Sequence, residues 1–204
     1  MVVLAASAGV ARADVQLWTE LGARHEVAPR VTLGFDQHLR FDEDLSRVSA
    51  VMPEAGIDVR FARWLRGAAA YRFEYERDGD GELVVRHRCD VALRGVARVG
   101  RLRGEYEQRF EEELRPSSQR KRHVHVLRER ASIAWQQAHW LPEVSVTVFQ
   151  VLGRDDAVDK LWLTAGVTRR RHGRATEVFY RLAVPYDRMD PPAHIFGITL
   201  HAQL

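Results

Sequence analysis

The amino-acid sequence predicts an all-β protein that forms a closed antiparallel up-and-down transmembrane β-barrel of about 10 to 12 strands. Three observations support this fold class. Apolar and polar residues alternate along most of the chain, and a period of two is that of an extended strand with two different faces. The polar positions carry mainly Arg, Glu and Asp, so one face of the predicted sheet is apolar and the other is ionic. Short and long connections alternate, which is typical of outer-membrane barrels.

A short apolar segment opens the sequence. Residues 2–8 are apolar or small, and Ala11-Arg12-Ala13 follows them. Small residues separated by one position are typical of the site at which a secretory signal peptide is cleaved. We therefore predict a signal peptide over residues 1–13, truncated before its basic start, and one outer-membrane barrel domain over residues 14–204. An alanine-rich N-terminus without a targeting role is the alternative.

The strands follow the alternation in order along the chain. The second segment shows it most clearly, because Val31, Leu33 and Phe35 fall on one face and polar or small residues separate them. The final segment repeats the pattern from Phe196 to Leu204. The alternation gives eleven segments, whereas bacterial barrels normally contain an even number of strands. The expected strand count is therefore about 10 to 12. The predicted strands are residues 15–27, 31–41, 47–61, 65–77, 84–98, 102–114, 123–135, 144–152, 160–169, 175–184 and 195–204.

The predicted connections fall into two classes. Short turns are expected at residues 28–30, 62–64, 99–101 and 171–174, and longer polar loops at 78–83, 115–122, 153–159 and 185–194. Trp64 and Trp140 lie at predicted short turns, and Trp135 lies near a strand end. Aromatic rings with one polar edge are enriched at membrane–water interfaces, so we assign these three tryptophans to an interface.

A few polar residues interrupt the apolar face. Glu129 is the most difficult, because a charge near the middle of a membrane is costly. A β-bulge beside Glu129 would shift the phase of the alternation and turn this residue inward. The polar residues predicted on the apolar face are Gln37, His87, Gln108, Glu112 and Glu129.

The ionic face carries nearly balanced numbers of basic and acidic residues. In a small barrel these side chains are expected to pair across neighbouring strands and to fill the interior with an ionic network. The alternative is a path for anions, since a row of like charges selects ions of the opposite sign. Its best candidates, as an uncompensated basic strip on one hairpin, are Arg86, Arg88, Arg94, Arg103 and Arg109. The ionic face as a whole is predicted to contain Arg24, Arg40, Arg60, Arg66, Arg72, Arg86, Arg88, Arg94, Arg103, Arg109, Arg128 and Arg130, with Glu20, Asp36, Glu54, Asp58, Glu74, Glu76, Asp90, Glu105, Glu107 and Glu111.

Signatures of catalysis or metal binding are weak. The sequence has no glycine-rich phosphate loop, no His-Glu-x-x-His motif and no Gly-x-Ser-x-Gly motif. His123 and His125 have the spacing of metal ligands on one strand face, but no carboxylate or cysteine clearly faces them. Cys89 is the single cysteine, so no intramolecular disulfide is expected. We predict no cofactor, no metal site and no enzymatic activity.

Three stretches of the chain resemble a group of bacterial proteins of unknown function that are predicted to be outer-membrane β-barrels. They are residues 14–22 (DVQLWTELG), residues 39–44 (LRFDED) with the Ser-Arg pair at 46 and 47, and residues 71–75 (YRFEY). The likeness extends through most of residues 14–204 and is loosest between residues 135 and 151. The resemblance implies a fold and a location, and it carries no catalytic or ligand-binding residues.

The expected function follows from the fold and the charge pattern. A net charge of +3 suits an acidic partner, but the alternation of bases with acids argues against nucleic acid. We expect an integral outer-membrane protein, either a narrow channel or a structural protein, in contact with outer-membrane lipid and lipopolysaccharide. The barrel-assembly machinery is the expected partner during insertion. An outer-membrane lipid-modifying enzyme and a soluble lipocalin-like binding barrel are the alternatives.

Overall fold

The strands form one closed sheet. The computed structural model describes residues 14–42, 47–77, 82–115, 122–153, 158–186 and 191–204, so the predicted signal peptide and most of the basic loop at 115–122 lie outside the described residues. The prediction of an all-β closed barrel of 10 to 12 strands is confirmed. The strands of the described residues are β1 (Asp14–Ala28), β2 (Val31–Asp42), β3 (Arg47–Arg60), β4 (Leu65–Arg77), β5 (Leu83–Val99), β6 (Leu102–Arg115), β7 (Arg122–Trp135), β8 (Trp140–Val151), β9 (Val158–Arg171), β10 (Arg174–Pro185) and β11 (Ala193–Gln203).

Each strand pairs with its neighbours in the chain, and β1 pairs with β11 to close the barrel. All pairs are antiparallel except the closing one, which is parallel and runs from Asp14 beside Ala193 to Arg24 beside Gln203. The expectation of a wholly antiparallel barrel is therefore wrong at this seam. In an up-and-down sheet with an odd number of strands, the first and last strands point the same way, so their pairing has to be parallel.

The two rims of the barrel differ in their connections. Five tight connections, after β1, β3, β5, β7 and β9, lie on one side, which we call the short-turn rim. The opposite ends of the strands, including the start of β1, lie on the other side, which we call the long-loop rim. Gly100 and Gly173 hold two of the tight turns with φ values of 59° and 71°, a backbone region that glycine adopts without steric cost.

Strand β8 begins four residues earlier than the alternation predicts. Trp140 is its first residue and pairs with Arg169, so Trp140 does not lie in a turn as expected. The tight connection comprises residues 136–139. Pro142 lies inside the strand, just beyond Glu143, the last β8 residue that pairs with β7. Its missing N–H is therefore not needed for pairing with β7, which explains why proline is tolerated here.

Many large exposed side chains of the wall are apolar, and many of its buried side chains are charged. In β2, Phe35 is 51% exposed while the adjacent Asp36 is 6% exposed. The same contrast is found elsewhere in the wall, where Leu33 of β2 and Leu200 of β11 are exposed and Glu74 of β4 is buried. We infer that the apolar face points outward and the ionic face points toward the barrel axis. Within the described ranges, no helix has the length and hydropathy that a membrane span requires.

Glu129 and Glu112 on the outward face each have a polar side-chain partner on the neighbouring strand. The Tyr106 hydroxyl donates a 2.5 Å hydrogen bond to Glu129, and His123 lies 2.9 Å from Glu112. The bulge expected beside Glu129 is absent from the described residues, because β7 keeps a continuous register through this residue with β6 and β8. A hydrogen bond from the neighbouring strand, rather than a change of phase, accommodates this carboxylate.

Candidate functional site

The five arginines predicted to form a basic strip lie on the ionic faces of β5 and β6. Adjacent strands bring them together as expected, but each lies within 4 Å of a carboxylate. The interpretation of this strip as uncompensated is therefore wrong. Acids alternate with arginines along both strands, so every arginine has an acid beside it or diagonally across. The pairs are Arg86–Glu76 (2.8 Å), Arg88–Glu74 (3.5 Å), Arg94–Glu107 (2.5 Å), Arg103–Glu105 (2.5 Å) and Arg109–Asp90 (3.1 Å).

Glu107 is the centre of this network. It is only 3% exposed, and its carboxylate contacts Arg94 at 2.5 Å and both Arg109 and Arg128 at 3.3 Å. Arg109 and Arg128 are direct cross-strand neighbours, which places two like charges side by side. The carboxylate of Glu107 offsets their repulsion, because opposite charges attract strongly where water is excluded.

The ion pairs continue along the wall toward β3. Arg128 contacts Glu111 at 3.1 Å, and Arg88 lies 3.6 Å from Glu111 and 3.5 Å from Glu74. Arg72 contacts both Glu74 and Glu54. The Nε of Arg72 donates a 2.6 Å hydrogen bond to the Glu54 carboxylate. We call this connected set on β3 to β7 the ionic wall. Its alternating charges tie five strands together, as the sequence analysis predicted for a structural network.

A second cluster surrounds Asp36, where β1, β2 and β11 meet. Arg24 donates two hydrogen bonds of 2.7 and 2.8 Å to the Asp36 carboxylate. Glu20 lies 3.0 Å from His201 and 3.1 Å from His38. Glu20, Asp36 and His201 have donor atoms within 4.8 Å of one another, a spacing that a metal ion could use. Because Arg24 already occupies both oxygens of Asp36, we describe the group as a hydrogen-bonded cluster.

Glycine makes the Asp36 cluster possible. A Cβ atom on Gly22 would lie 2.2 Å from His201 Nδ1 and 2.3 Å from Asp36 Oδ1, so no larger residue fits at this position without displacing both side chains. The sequence analysis did not single out Gly22 or His201.

The two histidines weighed as metal ligands lie elsewhere. His123 pairs with Glu112, and His125 stacks on Phe110 with ring centroids 5.7 Å apart. In the described part of the chain, neither belongs to a group of three or more metal-ligating side chains.

The remaining wall, formed by β1, β2 and β8 to β11, has a different composition. Trp18 and Trp162 meet edge to face at 5.6 Å, and Phe149 lies 4.4 Å from Trp162. Basic side chains lie over these rings: Arg40 over Trp18 at 4.2 Å, Arg181 over Trp162 at 4.3 Å and Lys160 over Phe149 at 4.9 Å. We call these six residues the cation–aromatic cluster. The sequence analysis missed it, although Lys160 and Trp162 alternate with leucines and so fall on one strand face.

The three tryptophans assigned to an interface lie together at the short-turn rim. Trp64 is 61% exposed, and Trp135 and Trp140 are also exposed. The Arg169 guanidinium lies 5.4 Å from the ring centre of Trp140. Their contact with a membrane stays a prediction.

A cavity of about 930 Å³ opens at the short-turn rim. Its lining is strongly basic and includes Arg24, Arg169, Arg170, Arg171, Arg174 and His201. The cavity lies at the end of β9, the start of β10 and the end of β11, so it forms a basic mouth on this side of the barrel.

Comparison with known proteins assigns the chain to a family. The family model described as "Protein of unknown function (DUF2490)" matches residues 15–182. The chain belongs to this family. The DUF2490 match begins in β1 and ends in β10, so it includes the ionic wall, and β11 lies beyond it. No curated protein matches the chain. The resemblance to an uncharacterised family is confirmed, while the outer-membrane location of this DUF2490 chain stays a prediction.

Proposed function

We propose that this DUF2490 protein is an integral outer-membrane β-barrel whose ion-paired interior has a structural role. The observation that carries the proposal is the direction of the side chains: exposed residues of the wall are largely apolar, and the buried polar residues include Asp90, Glu107 and Glu111. Such a barrel is stable when acyl chains cover its outer surface, because backbone groups of a closed sheet are all paired and apolar side chains contact lipid.

The spacing of two outward belts supports this proposal. Along β7, His125 lies toward the long-loop rim and Trp135 lies at the short-turn rim. The stretch between them measures roughly 33 Å along an extended strand, or roughly 23 Å across a membrane at a tilt of about 45°. Apolar bands of outer-membrane barrels are about 25 Å tall. At the level of His125, Tyr71 bonds His87 and Tyr180 bonds His194, each at 2.7 Å, as expected of an interface.

The alternatives fit the side-chain arrangement less well. A soluble lipocalin-like barrel needs an apolar interior and a polar surface, which is the opposite of the burial pattern. A lipid-modifying enzyme needs a nucleophile beside its base. The contacts of His123 and His125 are with Glu112 and Phe110, which favours a role at the membrane interface. Lipopolysaccharide and phospholipid are the expected partners.

The five tryptophans provide a test, because they divide into two groups. Trp64, Trp135 and Trp140 are exposed at the short-turn rim, whereas Trp18 and Trp162 face the interior. We expect phospholipids brominated on their acyl chains to quench the fluorescence of a W18F/W162F variant, which keeps only the rim tryptophans. The matched W64F/W135F/W140F variant keeps only the interior pair, and its fluorescence is expected to be quenched little by the same lipids.

Equal quenching of the two variants, or stronger quenching of the interior pair, would contradict the proposed orientation. Cell fractionation on a sucrose gradient tests the location separately. Recovery of the protein in a periplasmic extract without detergent would favour the soluble barrel instead.

A second candidate function is a narrow path for anions, favoured by the basic lining of the 930 Å³ cavity at the short-turn rim. Rows of positive charge at a pore mouth raise the local concentration of anions. We expect planar-bilayer recordings in a KCl gradient to give a reversal potential close to the equilibrium potential of chloride. The double substitution Arg170→Gln with Arg174→Gln is expected to reduce this selectivity for anions. The absence of current in either polarity would eliminate the channel and leave the structural role.

A further inference from the structure

Three cations of the interior lack the carboxylate partners that the arginines of the ionic wall have. Among the described residues, no carboxylate lies within 4.0 Å of Arg40, Lys160 or Arg181; the contacts of these three are aromatic rings and, for Arg181, the Thr164 hydroxyl. The arginines of the ionic wall, in contrast, each contact an acid at 3.6 Å or less. The positive charge of the interior is therefore unevenly compensated.

Strand pairing brings these three cations to one wall. Arg40 is the register partner of Trp18 across β1 and β2, and Lys160 is the register partner of Phe149 across β8 and β9. Arg181 lies between them on β10, 5.2 Å from the Trp18 ring centre and 4.3 Å from that of Trp162. Arg40 and Arg181 thus share the Trp18 ring, and Arg181 and Lys160 share the Trp162 ring, so the three cations form one connected group.

The aromatic rings do not replace a counterion. A ring face attracts a cation by roughly 1 to 2 kcal/mol, but it offers no acceptor for the N–H groups around a guanidinium. Arg40 Nε is buried and has no hydrogen-bond partner in the described part of the chain. Rings that cover one side of Arg40 and Arg181 also fix the guanidinium planes, so the free N–H groups are held in place before any ligand arrives.

We propose that Arg40, Lys160 and Arg181 form a binding site for an oxyanion from aqueous solution, that is, for a phosphate, sulfate or carboxylate group. Guanidinium groups bind such groups through paired N–H donors, and the Lys160 ammonium adds a third positive charge. The aromatic rings give the site an apolar floor, which favours a solute with a carbon skeleton attached to the anionic group. The proposal concerns the interior of the barrel and does not depend on which membrane surrounds it.

Titration of the refolded chain in zwitterionic detergent with sodium phosphate, sulfate and acetate tests the site. In the W64F/W135F/W140F background, the emission of Trp18 and Trp162 is expected to change and then saturate as the anion binds the cations that lie over their rings. Isothermal calorimetry on the same samples gives the Kd. Arg40→Gln, Lys160→Gln and Arg181→Gln are each expected to raise the Kd about tenfold, the usual loss for one charge-assisted hydrogen bond.

Arg101→Gln is the matched control, because Arg101 is exposed in the tight turn between β5 and β6. It is expected to leave the Kd within about twofold of the parent value. An unsaturable response in the parent protein, or an equal loss of affinity in Arg101→Gln, would overturn the proposed site. If one arginine variant fails to refold, Lys160→Gln still decides the question, since Lys160 lies near the start of β9, at the long-loop rim. Loss of this site would leave the membrane proposal untouched, because lipid quenching does not require anion binding.

Discussion

Replacing Val178 by arginine is expected to destabilise the folded barrel in a phospholipid bilayer by about 2 to 4 kcal/mol. Val178 is 57% exposed on the outward face of β10, and its register partners on the two neighbouring strands are Val167 and Ile198. The position is far from both rims, so the guanidinium cannot easily reach the headgroups. Equilibrium unfolding by urea in vesicles of a single phospholipid measures the difference.

Val99→Arg is the matched control for this prediction. Val99 is 77% exposed and ends β5 beside the short turn, so the same substitution is expected to cost only about 0 to 1 kcal/mol. If the Val178→Arg variant is as stable as the parent, or if both variants lose the same amount, the apolar face does not contact acyl chains. A soluble barrel would tolerate arginine at either exposed position.

Replacing Glu107 by glutamine is expected to lower the free energy of unfolding by about 3 to 5 kcal/mol, because the change removes one partner of a buried ionic network. Glutamine keeps the shape of the side chain but leaves Arg94, Arg109 and Arg128 without their shared carboxylate. Arg109 and Arg128 would then repel each other across β6 and β7. Urea unfolding in detergent micelles, followed by the loss of heat-modifiable mobility on gels, measures this effect.

Glu112→Gln is the control for Glu107, since it removes an acid from the same strand. Glu112 and its partner His123 are both exposed, so the pair is expected to contribute at most about 1 kcal/mol. Equal effects of the two substitutions would mean that water screens the interior. The ionic wall would then be a solvated pore lining instead of a structural network.

Much of the wall could be predicted from local sequence. The strand that contains Val31, Leu33 and Phe35 has a period of two, and β2 begins and nearly ends where that period does. The same holds for β6, which begins at Leu102, the first residue of the predicted strand. The period of a strand is a property of a few consecutive residues, so it can be recognised without knowing what pairs with what. β8 was predicted too short, because Trp140 was assigned to a turn and the structure begins the strand there, with Pro142 inside it.

The pairing of charges could not be predicted in the same way. Arg94 and Arg109 look uncompensated when only neighbouring arginines are counted, but the register of β5 and β6 places Glu107 and Asp90 against them. Register depends on turn lengths and on both neighbours of each strand, so a shift of two residues would keep every side chain on its face and change every partner. The sequence pattern therefore predicts which face a charge occupies and not which charge it meets.

By itself, the sequence determined that the chain forms amphipathic strands with an apolar face and an ionic face, because each strand's alternation is encoded in consecutive residues. Only the tertiary structure decided that β1 and β11 close the barrel in parallel, which follows from an odd strand count. It also decided that Arg40, Lys160 and Arg181 gather on aromatic rings without acids, while similar arginines elsewhere are paired. Those three residues come from strands far apart in the chain, and their proximity arises from the closure of the sheet.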